Sequence, residues 1–208
     1  MAQKLKDDVR LAIIKAAKEE FLEKGYKGAS MRSIANKANM TVGNLYRYYK
    51  NKEDINLSIV APTFRLIDNA IKSLNNSNVN MEPRVFNLKP NVEDVKANFD
   101  EFADNLVDIY FKNKTEFNIL ILHSRVSEEM INKFSEIISD MISQSFVLNN
   151  LSTEKDILCL AYANSLFSGI QTIFNNTKDD SSYLKVMIKT YLRSFLYMLD
   201  NDISKYAQ

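Results

Sequence analysis

The sequence predicts an all-α chain with a small basic N-terminal domain over residues 1–52 and a larger helical domain over 53–208. Three observations carry that prediction. Four glycines and three prolines in 208 residues are too few to punctuate a sheet protein. Apolar residues recur at spacings of three and four, with no clear alternating segments. The net charge of +1 is unevenly spread: residues 1–52 hold twelve Lys or Arg against five Asp or Glu, leaving +7, and residues 53–208 carry −6. A basic module joined to an acidic one suggests an anionic partner for the first alone, although a solvated helix surface has the same composition. The single cysteine, Cys159, excludes an intrachain disulfide and fits a reducing compartment. No apolar run follows Lys4 and Lys6, and no stretch approaches the roughly 20 apolar residues of a bilayer span. A soluble, cytoplasmic protein without a membrane partner is expected.

The first helix is predicted over about Lys6–Lys24, with Ile13 or Ile14, Ala17 and Phe21 on one stripe and Gly25 as the left-handed stop. Ser30 is the next N-cap, for a helix with Ile34, Ala35 and Ala38 inward. Asn39 and Met40 make a turn, and Thr41 caps a short third helix. Two capped helices joined by a turn that tolerates positive φ have helix-turn-helix geometry. The segment from Thr41 to Lys52, TVGNLYRYYKNK, concentrates three tyrosines, an arginine and two lysines. Leu45 and Tyr49, four residues apart, are assigned to the anchoring face, leaving Asn44, Tyr46, Arg47, Tyr48 and Lys52 on the flanks.

From Arg10 to Lys52 the chain resembles the N-terminal DNA-binding domain of the TetR family of transcriptional regulators. The resemblance rests on Ala17, Phe21, Gly25–Tyr26, Ser30, Ile34–Ala35, Ala38, Gly43, Leu45–Tyr46 and Lys52–Glu53. It implies an all-α homodimer with one helix-turn-helix per subunit, and a divergent C-terminal domain that dimerises and binds a small effector. It further implies repression relieved by that effector. Carried over by position, Ser30, Thr41, Tyr48 and Lys52 touch phosphate, while Arg32, Gly43, Asn44, Tyr46 and Arg47 face the groove. Tyr48 departs from the family pattern, in which histidine or another small aromatic is common. The side-chain chemistry agrees: arginine pairs bidentately with guanine and asparagine with adenine, each worth about 1–3 kcal/mol of discrimination, whereas Lys52 and Ser30 suit phosphate. Tyr46 and Tyr48 suit a boundary packing role as well as a DNA contact.

A fourth helix is expected from Glu53 or Asp54 to Asn75, with Ile55, Ile59, Phe64, Ile67 and Ile71 inward and a bend, moving or fixed, at Pro62. Asn75–Asn91 reads as a long loop. Four or five further helices are predicted, with candidates at Val92–Lys112, Thr115–Ser124, Glu128–Leu148, Thr153–Asn175 and Ser181–Asp200. The last two are apolar on more than one face, with twelve of eighteen residues apolar over Ile157–Phe174 and twelve of nineteen over Ser181–Leu199. A homodimer through the helices near 153–175 and 181–200 buries the second face, with Ser165 and Gly169 permitting close approach. A mostly apolar ligand site is placed among Phe64, Phe99, Phe102, Tyr110, His123, Phe134, Phe167 and Gln171, although core packing accounts for any one of these aromatics.

Enzyme classes lack their motifs. Leu120, not glutamate, stands three residues before His123, so no Glu-x-x-His pair exists for a di-metal bundle; there is no second histidine for zinc and no Gly-rich phosphate loop. Cys159 lies in an apolar run and should behave as a small hydrophobe. No catalytic residue, metal or cofactor is assigned. The expected partners are a palindrome-like duplex operator, a second copy of the chain and a small hydrophobic effector. The competing reading is a helical protein-interaction module without DNA binding, which would lack steep salt dependence.

Overall fold

The computed structural model describes residues 2–79, 92–121, 124–143, 152–177 and 180–205. Within them the chain forms α1 (Ala2–Gly28), α2 (Met31–Lys37), α3 (Val42–Tyr46), α4 (Lys52–Val79), α5 (Val92–Lys112), α6 (Lys114–Ile121), α7 (Ser124–Ser143), α8 (Ser152–Asn176) and α9 (Ser181–Lys205). No strand occurs among the described residues. Contacts divide the chain into a first unit, Met1–Leu66 with Asn113–Val126, and a second, Ile67–Lys112 with Ser127–Gln208. The reading domain expected over 1–52 lies inside the first unit, which also takes in the start of α4 and all of α6.

In the first unit, α1 buries Ile13, Ala16, Ala17 and Phe21 on one stripe. Gly25 breaks the helix with φ 65° and ψ 172°, a left-handed φ that glycine adopts without a Cβ penalty. The chain then makes one more turn before Ser30, with the Ala29 N–H donating to the Gly25 carbonyl at 3.2 Å. α2 buries Ile34 and Ala35 and packs on α1, and α3 packs on α2. α6 also packs on α1, contributing buried Phe117, Ile119 and Leu120, and Lys18 of α1 pairs with Glu116 of α6.

α4 runs through Pro62 as one helix and ends at Val79, four residues beyond the expected Asn75. Its inward stripe is Ile55, Asn56, Ile59, Val60, Thr63, Ile67, Ile71 and Leu74. Phe64, expected inward, is half-buried instead, because it lies one residue, about 100° of helix rotation, from Thr63. The side-chain polar atoms of buried Asn56 and Thr63 have no hydrogen-bond partner among the described residues. The expected loop at 75–91 begins inside α4, and its residues 80–91 lie outside the described residues.

In the second unit, α5 and α9 run antiparallel. Their facing edges pair Asp100 with Arg193, Asp104 with Lys189 and Asp108 with Lys185, one rung per helical turn. Beneath that ladder lie Phe99, Phe102, Ala103, Leu106, Val107 and Tyr110 of α5 and Leu184, Ile188, Leu192 and Phe195 of α9. α8 adds Ala163, Leu166, Ile170 and Phe174, together with Cys159, which is buried as expected for a small hydrophobe. The close approach at Gly169 is used inside the subunit. The Tyr191 ring of α9 lies against the bare Gly169 Cα, and its hydroxyl donates to the Ser165 carbonyl at 2.8 Å.

The expectation that no stretch approaches the length of a bilayer span does not hold for α8. Asp156–Asn176 is long and apolar enough, by length and composition, to cross a membrane. Its apolar residues occupy two faces: Cys159, Ala163, Leu166 and Ile170 are buried, whereas Ile157, Leu158 and Leu160 are exposed.

Candidate nucleic-acid interface

The interface is built from the first unit outward. Leu45 is fully buried and anchors α3; Tyr49 is half-buried and follows the helix, with its N–H donating to the Leu45 carbonyl at 3.1 Å. The Thr41 hydroxyl accepts from the Asn44 N–H at 3.2 Å, the N-cap the sequence predicts. Asn39, at φ 52°, supplies the left-handed turn residue between α2 and α3. The Met40 N–H reaches back to the Ala35 carbonyl at 3.0 Å and closes that turn on α2.

α2 starts at a reciprocal cap. The Ser33 N–H donates to Ser30 Oγ at 3.1 Å, and the Ser30 N–H donates to Ser33 Oγ at 3.1 Å. This fixes Ser30 at the exposed end of α2, with Arg32 exposed two residues further on. Thr41, Gly43, Tyr46 and Arg47 are exposed on α3 and its caps; Asn44 and Tyr48 are half-buried. Tyr46 keeps 53% of its surface, a large aromatic area to leave in water. Six of the nine predicted residues are therefore presented to solvent from one capped helix pair, with Asn44, Tyr48 and Lys52 at its edge.

Lys52 has a second task that its position in the sequence did not reveal. Its ammonium donates to the Tyr26 carbonyl at 2.6 Å and the Ala29 carbonyl at 2.9 Å, and sits 4.4 Å from the Tyr26 ring centroid. These contacts close the exposed carbonyls after Gly25 and tie the start of α4 to the α1–α2 turn. Burial, with help from Glu53, pushes the Tyr26 hydroxyl pKa up, so the ring beneath Lys52 stays neutral. α4 itself is capped by Asn51, whose Oδ1 accepts from the Asp54 N–H at 2.8 Å, while Asp54 accepts from the Lys50 N–H at 3.1 Å. Sequence reading placed the acids at this helix start and missed Asn51 as the cap.

Glu20 was also missed. It is fully buried on α1, within reach of Lys24 and of Lys37 on α2. The signal was present, since position 20 continues the stripe of 13, 16 and 17 at helical spacing.

Residues 13–59 match the family profile of bacterial regulatory proteins of the tetR family. That stretch of the chain carries a tetR-family N-terminal domain. Two solved structures extend the likeness of fold beyond the N-terminal domain. SmeT, the repressor of the Stenotrophomonas maltophilia multidrug efflux pump SmeDEF, superposes with TM-score 0.52 at 16% identity, over 91% of this chain and 89% of its own. The fatty acid degradation regulator FadR from Bacillus halodurans gives TM-score 0.50 at 18% identity, over 88% of this chain and 94% of its own. No curated protein sequence matches the chain.

The residues predicted to hold a ligand are only partly brought together. Phe99, Phe102, Tyr110, Phe134 and Phe167 are buried in the second unit, and Gln171 is half-buried there. Phe102 meets Phe134 edge-on, with centroids 6.0 Å apart. Tyr110 packs against Phe174 at 4.9 Å, a partner the sequence reading did not include. Phe64 belongs to the first unit, and His123 lies outside the described residues. A shallow cleft opens beside Phe102, lined also by Ala70, Ser73, Leu74, Asn98, Glu101 and Asn105.

Proposed function

We propose that the chain is a sequence-specific, DNA-binding transcriptional regulator that represses as a homodimer and leaves its operator when a small hydrophobic ligand binds the second unit. The observation that carries the reading is the capped α2–α3 pair, held by buried Leu45, Ile34 and Ala35, with Arg32, Gly43, Tyr46 and Arg47 left in solvent. Arg47 and Asn44 are assigned to base edges; Ser30, Thr41 and Tyr48 are assigned to phosphate, with Lys52 shared between phosphate and the α1–α2 turn. The function of SmeT as a repressor supports the sign of regulation.

Dimerisation is assigned to α8 and α9. Ile157 and Leu160 on α8 and Tyr183, Val186 and Tyr197 on α9 are exposed apolar side chains, and Tyr197 keeps 72% of its surface. Such a face is most economically buried against its own copy, and a dimer places two recognition helices about 34–36 Å apart on successive major grooves. The ligand is assigned to the aromatic interior of the second unit around Phe102 and Phe134. By linkage, DNA then weakens ligand binding by the factor by which ligand weakens DNA binding. Operator and repressor meet in the cytoplasm on this reading.

Selection of bound sequences from random duplex DNA tests it. A palindrome-like site is expected, and Arg47→Ala should weaken binding to that site about 10- to 100-fold and relax preference at one position per half-site. Recovery of no such site, or salt-insensitive binding to a protein partner only, favours the interaction-module reading.

A further inference from the structure

Glu20 is a carboxylate with no exposed surface, placed where the stripe of α1 would ordinarily carry an apolar side chain. Its Oε1 accepts from Lys24 Nζ at 2.7 Å, one turn along the same helix. Its Oε2 forms an ion pair, not a hydrogen bond, with Lys37 Nζ at 3.4 Å in the last turn of α2, and Lys37 donates its hydrogen bond to Glu23 at 2.6 Å. Burial opposes ionisation, but Lys24, the Ser33 hydroxyl and Lys37 outweigh it and hold the carboxyl below its ordinary range. A charged pair in a helix contact is not the stable solution by default. Apolar residues of similar volume in place of a buried ion pair are often as stable or more so, which leaves geometric specificity as the use for the charge.

The partners divide that use cleanly. Lys24 neutralises Glu20 from within α1 and would do so wherever α2 lay. Lys37 reaches Glu20 only from α2, and Ser33 stands four residues before it on the same face. A directional contact near the C-terminal end of α2 constrains the rotation of α2 about its axis against α1. α2 in turn carries Ser30 and Arg32 and is tied to the α3 turn through the Ala35 carbonyl.

We propose that Glu20 is a positioning residue for DNA recognition: acting across the α1–α2 contact through Lys37, it sets the register in which α2 and α3 meet the duplex. The inference rests on the DNA-regulator reading above, and its test separates the two. Dissociation constants are measured for the full chain on the selected operator and on a scrambled duplex of equal length, at one salt concentration, together with the thermal midpoint. Lys37→Met removes the cross-helix tie and leaves Glu20 neutralised by Lys24. It should lower the operator-to-scrambled affinity ratio about tenfold, the scale of one lost base-pair match. Lys37→Arg and Glu23→Gln should keep the ratio. Glu20→Leu with Lys37→Met should keep or raise the thermal midpoint while the ratio still falls, an outcome that a purely structural role does not give.

Loss of a positive charge alone weakens both duplexes in parallel. An unchanged ratio in Lys37→Met therefore overturns the proposal whether or not overall affinity drops, and this single variant decides if the double variant fails to fold. If the unsubstituted chain shows no preference for any selected duplex, the regulator reading itself falls before the variants are compared.

Discussion

Substituting Gly169 by alanine should destabilise the second unit, and the same substitution should become stabilising once Tyr191 is removed. A Cβ at position 169 would overlap Cζ and Oη of Tyr191 and lie 2.7 Å from its Cε1. These atoms form the free end of a half-buried side chain, so the ring can swing outward rather than force α8 from α9. Swinging out forfeits the hydrogen bond to the Ser165 carbonyl, about 1 kcal/mol, and re-exposes part of the ring, about 1–2 kcal/mol. Against this, alanine gains about 1 kcal/mol over glycine in a helix interior. The net cost is about 1–2 kcal/mol, and for a chain of 208 residues each kcal/mol lowers the midpoint by about 2–4 °C. In the Tyr191→Ala background only the helix-propensity gain remains, so Gly169→Ala should raise stability by about 1 kcal/mol. Urea and thermal unfolding followed by circular dichroism, at fixed protein concentration, give both legs of the double-mutant cycle. Equal destabilisation in the two backgrounds would show that Tyr191 is not what fills the space beside Gly169.

Three other perturbations follow from the same geometry. Lys52→Met should cost about 1 kcal/mol of stability through the lost Tyr26 and Ala29 carbonyl bonds; a slope of log affinity against log salt that stays unchanged in this variant would assign Lys52 wholly to the turn and remove it from the phosphate contacts. Thr63→Val keeps the shape of a fully buried side chain and discards a hydroxyl without a partner, so it should stabilise by about 1 kcal/mol in denaturant titration; destabilisation would mean that the hydroxyl has a partner such as a buried water. Acid should weaken the fold through carboxyls whose folded pKa is depressed. Glu20 is lowered because its donors outweigh burial, Asp68 because of Lys133 and Lys72, and Glu116 because Lys18 and its own backbone N–H outweigh burial. A depressed folded pKa gives stabilisation that is complete above the ordinary carboxylate range near 4 and is lost as pH falls through the folded value. The urea midpoint should therefore drop from about pH 5 to pH 3, and a flat profile there would refute the pairing.

The fold was legible where local signals act alone. α5 runs over the predicted Val92–Lys112, and Gly25 and Asn39 take the left-handed φ their residue types suggest. α7 begins at Ser124 rather than Glu128, because Ser and Asn residues that suit a cap also continue a helix when its apolar face is packed. The site was legible in which side chains face water and less so in what the others do. Periodicity locates a stripe but not its chemistry, so Glu20, Asn56 and Thr63 were not counted inside while Phe64 was. Partners distant in sequence were invisible: Lys18 and Glu116 are 98 residues apart, and Lys52 reaches carbonyls 23 and 26 residues back. Gly169 was expected to admit a second subunit, whereas Tyr191 of the same chain lies against it, because small-residue spacing does not say which helix approaches.

The positive charge of the N-terminal segment has to be divided before it is assigned to DNA. Its excess of +7 treats every lysine and arginine alike, yet the structure commits several of them internally. Lys24 and Lys37 are offset by Glu20 and Glu23, and Lys18 by Glu116. Lys52 keeps its charge but directs two of its protons to carbonyls. Arg32 and Arg47 are exposed and make no ion pair with any described residue. Both stand on the α2–α3 pair, on the surface that buried Leu45 and the Ser30 and Thr41 caps hold out to solvent, while Lys6, Arg10, Lys15, Lys27 and Lys50 are exposed outside those two helices. Salt dependence per subunit should then reflect a handful of phosphate contacts rather than seven or more, since counterion release counts the cations that reach the duplex and not those that hold the helices together.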